Sequence, residues 1–272
     1  MERQPRRAEE SRQQPEILTR LEDAVGAIQD SDSFRQWLDV TSRFHHYSLG
    51  NQLLIAFQRP DATYVAGFHA WLKLGRHVLK GEKGIAIMVP HVRKAQNDNG
   101  EDERRVTSFG TGHVFDVSQT DGAPLPELDV PVLEGDEGLE LWDGLSHFAA
   151  QEGVSISVVP PEELPSETMG YYAPSTKRIV VAEHSQRQKT KTLAHELGHH
   201  VARLDSRAEN ECVAEGIAYS VCAHFGIDTG ERSFPYVASW AKDREMLRSV
   251  LSTIHAASST IIDGIAASQS SH

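Results

Sequence analysis

The sequence predicts an α+β protein of two domains, and three observations support this prediction. Helical and strand patterns of apolar residues both occur along the 272 residues. A segment with three prolines and no clear period, residues 122–135, separates an N-terminal part with a long β-hairpin from a C-terminal part. The C-terminal part contains a strand, a second hairpin and two long helices. The whole chain has a hydrophobic share of 39%, which is typical of globular domains.

The N-terminal half is predicted to contain short helices followed by a β-hairpin. Apolar residues recur at helical spacing in three places, and a glycine-rich turn introduces an alternating strand pattern. The expected helices are residues 17–28, 34–40 and 49–57, and the expected strands are residues 85–92 and 106–117, joined by a polar loop at 95–103.

Four segments follow from this pattern. We expect a polar tail at residues 1–14, an N-terminal domain at 15–125, a linker at 126–136 and a C-terminal domain at 137–272. Within the C-terminal domain we expect a helix at 139–151, a strand at 154–159, a hairpin at 169–182 and then the two helices.

Composition excludes several classes of protein. No run approaches the roughly 18 apolar residues of a membrane span, and the polar N-terminus lacks the apolar stretch of a secretory signal. We therefore expect a cytoplasmic protein without a membrane partner. Cys212 and Cys222 lie ten residues apart in one predicted helix, about 15 Å, which is too far for a disulfide.

Residues 195–199, His-Glu-Leu-Gly-His, have the spacing of a metal site. Positions i and i+4 share one face of a helix, so His195 and His199 can bind one ion, and zinc accepts imidazole ligands. Glu196 is rotated away from this pair but can reach a water on the same ion. It is therefore the candidate general base.

A catalytic zinc site needs a third protein ligand and an open fourth position. Glu211 and Glu215 again lie four residues apart on the next predicted helix. We favour Glu211 as the ligand and Glu215 as the residue that orients a histidine, and the reverse assignment stays open. The pattern predicts one Zn²⁺ per chain, a peptide or protein substrate and hydrolysis assisted by Glu196. Tyr236 and Tyr172 are candidate oxyanion donors, together with Tyr171 and His255.

Two groups of metallopeptidases resemble the C-terminal part. Asn210-Glu211 with Glu215 is similar to the gluzincin pattern of Asn-Glu followed four residues later by an acid, with Glu where Asp is usual. The hairpin Gly-Tyr-Tyr followed by Arg-Ile-Val-Val resembles ImmA/IrrE metallopeptidases, although their Glu-Ala-Asn segment is absent. This resemblance implies a zincin-like fold, an edge strand that receives the substrate backbone and, in one alternative, cleavage of a repressor.

A resemblance to ArdC-type antirestriction proteins covers more of the chain. It rests on Arg43–Leu54, on Gly81-Glu82-Lys83-Gly84, on Val114–Gln119, on Glu211–Gly226 and on Tyr236–Trp240. The resemblance implies a single-stranded-DNA-binding domain followed by a zinc metallopeptidase-like domain.

The N-terminal half also has the composition of a nucleic-acid surface. The protein has a net charge of −12, yet residues 35–94 hold nine basic and only three acidic residues, interleaved with aromatic ones. Single-strand binders use cations for phosphates and flat rings for bases. Spacing alone favours a core role for the aromatic residues and a solvated role for the basic ones, whereas the ArdC resemblance favours DNA binding. The preferred candidates are Arg43, Tyr47, Asn51, Lys73, Arg76, Lys80 and Lys83.

Three functional hypotheses result. The first is a zinc metalloendopeptidase joined to a single-stranded-DNA-binding domain, with an antirestriction role. The second is a non-catalytic protein that shields single-stranded DNA and has a structural zinc site. The third is a regulatory protease that cleaves a repressor. Function of a Glu196→Gln variant separates the first from the second.

Overall fold

The computed structural model describes residues 5–96, 102–124, 138–205, 207–229 and 234–269. Its helices are α1 (Pro5–Ala27), α2 (Ser31–Arg43), α3 (Leu49–Gln58), α4 (Phe68–Lys73), α5 (Leu139–Gln151), α6 (Gln186–Ala202), α7 (Ala208–His224), α8 (Val237–Trp240) and α9 (Arg244–Gln269). Its strands are β1 (Val65–Gly67), β2 (Arg76–Val78), β3 (Ile85–Gln96), β4 (Asp102–Asp116), β5 (Thr120–Gly122), β6 (Ser155–Val159), β7 (Gly170–Ala173) and β8 (Arg178–Ala182). The predicted α+β class is confirmed.

The chain divides into two compact units. The first unit comprises Met1–Ile28 and Tyr47–Pro126, and the second comprises Gln29–His46 and Glu127–His272. The first unit therefore lacks α2, which the sequence places in the N-terminal domain. The linker predicted at residues 126–136 lies outside the described residues.

The first unit is built on an antiparallel sheet with the strand order β1-β4-β3. The predicted hairpin is the β3–β4 pair, which extends from Ile85↔Val114 to Gln96↔Asp102, so the strands run further into the predicted loop. Helices α1 and α3 cover the sheet through a small apolar cluster of Ile17, Leu54 and Ala86. Helix α1 begins at Pro5, so its backbone includes most of the segment that the sequence predicts as a polar tail.

Two amide side chains of α3 pair with the outer edge of β3. Asn51 donates to the carbonyl oxygen of Met88 at 3.0 Å and accepts from its amide at 2.8 Å. Gln58 makes the same two contacts with Ala86, at 2.9 and 3.0 Å. The amide groups thus satisfy backbone groups of an edge strand that has no neighbouring strand on this side within the described sheet.

The second unit has a three-stranded sheet with the order β6-β8-β7, in which β6 is parallel and β7 antiparallel to β8. Helix α2 belongs to this unit because its buried aromatic face packs against aromatic residues of the C-terminal part. The Phe34 ring lies 5.6 Å from Trp37, 4.9 Å from Phe234 and 6.1 Å from Trp240, measured between centroids.

Helix α9 is the longest element, and the sequence prediction did not include it. By length and composition alone, Arg244–Ser268 is long and apolar enough to cross a membrane, and a core helix passes the same test. Leu251, Ile254, Ile261 and Ile265 of this helix are fully buried. The helix therefore contributes to the apolar core of the second unit.

Candidate functional site

Helices α6 and α7 carry the predicted metal residues. Ser185 caps α6 by accepting a hydrogen bond from the Gln188 amide at 3.4 Å. Gly198 lets α7 approach closely, because a Cβ atom there would lie 3.3 Å from the Ile217 side chain. The short distance between the two helices brings Glu211 of α7 opposite the histidines of α6.

The ligand atoms of His195, His199 and Glu211 form a compact triangle. Nε2 of His195 lies 3.2 Å from Nε2 of His199 and 3.2 Å from Oε2 of Glu211, and the third side measures 3.4 Å. Zinc bonds of about 2.0–2.1 Å in a tetrahedral shell require ligand atoms about 3.3–3.4 Å apart. The two imidazoles and the carboxylate therefore fit one face of a tetrahedral ion site.

Glu215 lies behind the triangle rather than in it. Its Oε2 is 3.4 Å from Nδ1 of His195, and its Oε1 is 3.0 Å from Nζ of Lys191. Burial alone would raise the pKa of Glu215, but the hydrogen bond with His195 and the charge of Lys191 lower it to about 2. The structure thus places Glu211 among the ligand atoms and Glu215 where it orients His195, which is the favoured arrangement of the two acids.

Glu196 lies beside the triangle in a nearly closed environment. Its residue exposure is 7%, and the backbone amide of Tyr172 on β7 donates to its carboxylate. Burial raises the pKa of Glu196 to about 7, against the opposing effect of the His195 charge. A buried carboxylate with a raised pKa next to a metal site has the properties of a general base.

The edge strand β7 approaches α6 closely at Gly170. A Cβ atom at this position would lie 2.6 Å from Cγ2 of Thr192 and 2.8 Å from the carbonyl oxygen of Val180. Two cavities lie beside Gly170 and Glu196. One of about 330 Å³ is lined by residues that include Tyr171, Glu196, His199 and Glu211, and the other is lined by residues that include His195, Glu196 and Glu215. The candidate metal centre therefore lies in a groove beneath a free strand edge.

The predicted oxyanion donors are not arranged as the sequence suggests. The Tyr172 hydroxyl is hydrogen-bonded to Nδ1 of His200 at 2.7 Å, and this contact directs it to His200. Tyr236 stacks on Trp240. Neither Tyr236 nor His255 of α9 lines the two cavities beside the triangle. Tyr171 is the candidate that the groove retains, with 43% of its surface exposed.

Two predicted DNA-binding residues have structural contacts in the first unit. Asn51 is buried and pairs with Met88 of β3. Arg76 donates to the Thr120 hydroxyl and carbonyl oxygens at 2.8 and 3.0 Å and to the Ala123 carbonyl oxygen at 2.6 Å. Asn51 is thus a poor candidate, and Arg76 offers its charge only from a fixed position.

The lysine candidates keep their charges at the surface. Lys73, Lys80 and Lys83 are exposed, and Tyr47 is half-buried. Arg43 is exposed at the end of α2 and belongs to the second unit, apart from the other candidates. Phe68 is not among the preferred candidates, yet it is 46% exposed at the start of α4 and offers a ring to stack on a base. Its position in the basic, aromatic segment at residues 35–94 was the signal for it.

Comparisons with known proteins agree with this architecture. Residues 10–115 match the family model described as the N-terminal domain of the anti-restriction factor ArdC. An uncharacterized protein of Bacillus anthracis is 28% identical over 293 residues, which cover 90% of this chain and 50% of that protein. The chain thus spans about half the length of the curated relative that it matches.

Two crystal structures of the antirestriction ArdC protein from the R388 plasmid share the fold. The metal-free structure is 24% identical and the Mn(II)-bound structure 23% identical, and both have a TM-score of 0.52. The matches cover 81% of this chain and 86% and 85% of the respective ArdC chains. The predicted resemblance to ArdC-type antirestriction proteins is confirmed.

Proposed function

We propose that this protein is a divalent-metal-dependent peptidase joined to a single-stranded-DNA-binding unit, with an antirestriction role. The observation that carries the peptidase proposal is the ligand triangle of His195, His199 and Glu211 with buried Glu196 beside it. The observations that support the DNA proposal are the family-model match at residues 10–115 and the exposed lysines of the same unit.

In this proposal each residue of the second unit has a distinct role. The ion is held by His195, His199 and Glu211. Glu215, which is paired with Lys191, orients His195. A bound Zn²⁺ would supply a Lewis acid for the scissile carbonyl and for a water molecule. Glu196 would take a proton from the attacking water and pass it to the leaving amine.

Strand β7 is the proposed docking site for the peptide backbone. The Tyr172 amide donates to the Glu196 carboxylate, so this edge of β7 faces Glu196. An extended peptide that adds to a sheet edge gains backbone hydrogen bonds, and the two cavities beside Glu196 could admit its side chains. A peptide bound in this way passes over the metal triangle.

The identity of the ion is part of the proposal. Imidazole and carboxylate ligands suit zinc, and manganese also accepts them. The R388 ArdC protein has a structure with Mn(II) bound. We propose zinc because two histidines and one glutamate are a common ligand set of catalytic zinc sites, and metal analysis of the purified chain together with reconstitution by each ion tests this.

The peptidase proposal is tested with Glu196→Gln in the full chain. The amide keeps the size of the side chain but cannot take a proton, so we expect cleavage of a fluorogenic peptide library to fall about 10²–10⁴-fold. Bound metal and single-stranded-DNA affinity should stay unchanged. Glu140→Gln, an exposed position on α5, is the matched control. Equal cleavage by wild type and Glu196→Gln would overturn the peptidase proposal.

A second candidate function is protection of single-stranded DNA without catalysis. It is favoured by the exposed Lys73, Lys80 and Lys83 and by exposed Phe68 in the first unit. If Glu196→Gln retains full antirestriction function and the lysine variants lose it, the metal serves structure alone. If a cellular repressor disappears in the presence of the wild-type protein but not of Glu196→Gln, the regulatory-protease alternative is favoured instead.

A further inference from the structure

A second group of metal-ligating side chains lies in the second unit, outside the α6–α7 triangle. His45 and His46 follow the end of α2, and Asp263 lies on α9. Oδ1 of Asp263 is 3.5 Å from Nε2 of His45 and 3.9 Å from Nδ1 of His46. One ligand atom from each of the three residues lies within 4.8 Å of the other two.

His45 lacks good hydrogen bonds although it is buried. Its side-chain exposure is 8%, and its Nδ1 has no hydrogen-bond partner among the described residues. Its Nε2 approaches Asp263 only to 3.5 Å, which is longer than an ordinary hydrogen bond of 2.7–3.2 Å. The Nε2 atom therefore lacks a close partner, and an ion bound there would supply one.

A third imidazole packs against His45. The His224 ring lies 4.6 Å from the His45 ring, edge-on, and its Nδ1 is 2.7 Å from the carbonyl oxygen of Ser42.

The site also has a favourable field for a cation. The carbonyl ends of α2 point toward the turn that contains His45 and His46, and the C-terminal end of a helix is electronegative. Asp263 adds a full negative charge. The cluster joins two parts of the second unit that are far apart in sequence, because Ser259 of α9 also donates to the His45 carbonyl oxygen at 3.3 Å.

We propose that His45, His46 and Asp263 form a second binding site, for a divalent transition-metal ion such as Zn²⁺. The ion links the end of α2 to α9. Two imidazoles and one carboxylate are a donor set that zinc, nickel and cobalt accept, with solvent completing the shell. This site is independent of the peptidase proposal, since it shares no residue with the α6–α7 triangle.

Binding requires a small contraction of the cluster. Tetrahedral zinc needs ligand atoms about 3.3–3.4 Å apart, which is shorter than the separations of 3.5 and 3.9 Å. The His46 and Asp263 side chains are 77% and 58% exposed, so rotation about their side-chain bonds can bring them to buried His45.

The test is zinc uptake by the full chain with the α6–α7 site removed by His195→Ala and His199→Ala. We expect about one zinc ion per chain after equilibrium dialysis, measured by elemental analysis, and a rise in Tm on zinc addition. Adding His46→Ala or Asp263→Asn should abolish both. His147→Ala and Asp143→Asn, exposed positions on α5, are the matched controls.

A second measurement avoids the double variant. The chain with His46→Ala alone should bind about one zinc ion fewer than wild type. The remaining ion should occupy the α6–α7 site. Zinc uptake that is the same with and without His46 and Asp263, or no uptake once the α6–α7 site is removed, would overturn the proposal.

Discussion

The α6–α7 metal triangle and the basic surface of the first unit use their charged side chains in opposite ways. In the triangle the ligand atoms already lie 3.2–3.4 Å apart, and Glu215 and Lys191 continue the network. On the basic surface Lys73, Lys80 and Lys83 extend into solvent. A preorganised site concentrates its binding energy in a few residues, whereas an open basic surface spreads it over many. Single substitutions should therefore have large effects in the first region and small effects in the second.

Within the triangle and its supporting residues, Glu215→Gln should have a large effect on metal affinity. The amide cannot match the charge that Glu215 presents to His195, and loss of such a partner typically lowers metal affinity about 10–100-fold. Competition with a chromophoric chelator measures the affinity, and Glu209→Gln on the same helix is the control. Unchanged zinc affinity in Glu215→Gln would remove the orienting role of this residue.

Asp116→Ala tests a structural carboxylate in the first unit. Asp116 accepts hydrogen bonds from the amides of Thr63, Tyr64 and Ser118, at 2.8, 3.1 and 3.0 Å, and is 2% exposed. Its loss leaves buried donors unpaired, so the free energy of unfolding should fall by about 3 kcal/mol. Chemical denaturation measures this, and exposed Asp61→Ala should change little.

The same carboxylate predicts a pH dependence. Burial would raise the pKa of Asp116, but the hydrogen bonds from Ser118, Thr63 and Tyr64 lower it below its ordinary 3.8. A lowered folded-state pKa gives stability that is present above pH 3.8 and lost as the pH falls through the folded value. The stability difference between wild type and Asp116→Asn should therefore shrink below about pH 4, and a constant difference would contradict it.

Asn51→Ala separates a structural role from a DNA-binding role. The substitution unpairs the amide and carbonyl of Met88 at the edge of β3, which should lower the free energy of unfolding by about 1–2 kcal/mol. Single-stranded-DNA affinity of the folded protein should stay unchanged. Gln58→Ala, which has the matching contacts with Ala86, should behave alike. A loss of DNA affinity at unchanged stability would return Asn51 to the binding surface.

Lys80→Ala and Lys83→Ala should have the smallest individual effects. Each removes one phosphate contact, so the slope of log K against log salt for single-stranded DNA should decrease by about 0.7 per lysine, at unchanged stability. Fluorescence anisotropy over a salt series measures the slope. Lys242→Ala, exposed in the second unit, is the charge-matched control. A slope identical to wild type in both variants would place the DNA surface elsewhere.

The extent to which the sequence predicts this molecule differs between local and distant features. The i, i+4 spacing of His195 and His199 predicts a shared helix face because helical geometry is periodic. The choice between Glu211 and Glu215 depends on how α7 sits against α6, and the spacing alone leaves it open. The contacts of Tyr172 and Arg76 could not be predicted, because their partners come from distant segments: His200 for the Tyr172 hydroxyl and Thr120 for the Arg76 guanidinium.

Helix α2 shows the same limit at the level of whole elements. Its amphipathic pattern predicts the helix, and the capping box of Asp30 with Ser33 fixes its start. Which unit it joins depends on the aromatic partners Phe234 and Trp240, which lie about 200 residues further along the chain.

By itself the sequence determined the α+β class, the two ligand-bearing helices and the imidazole and carboxylate donors on one face of each. Only the tertiary structure decided that Glu211 completes the triangle, that Asn51 and Arg76 have structural contacts, and that His45, His46 and Asp263 meet. The physical reason is the distance along the chain over which each effect acts. Backbone periodicity acts over a few residues, whereas side-chain pairing depends on which distant surfaces packing brings together.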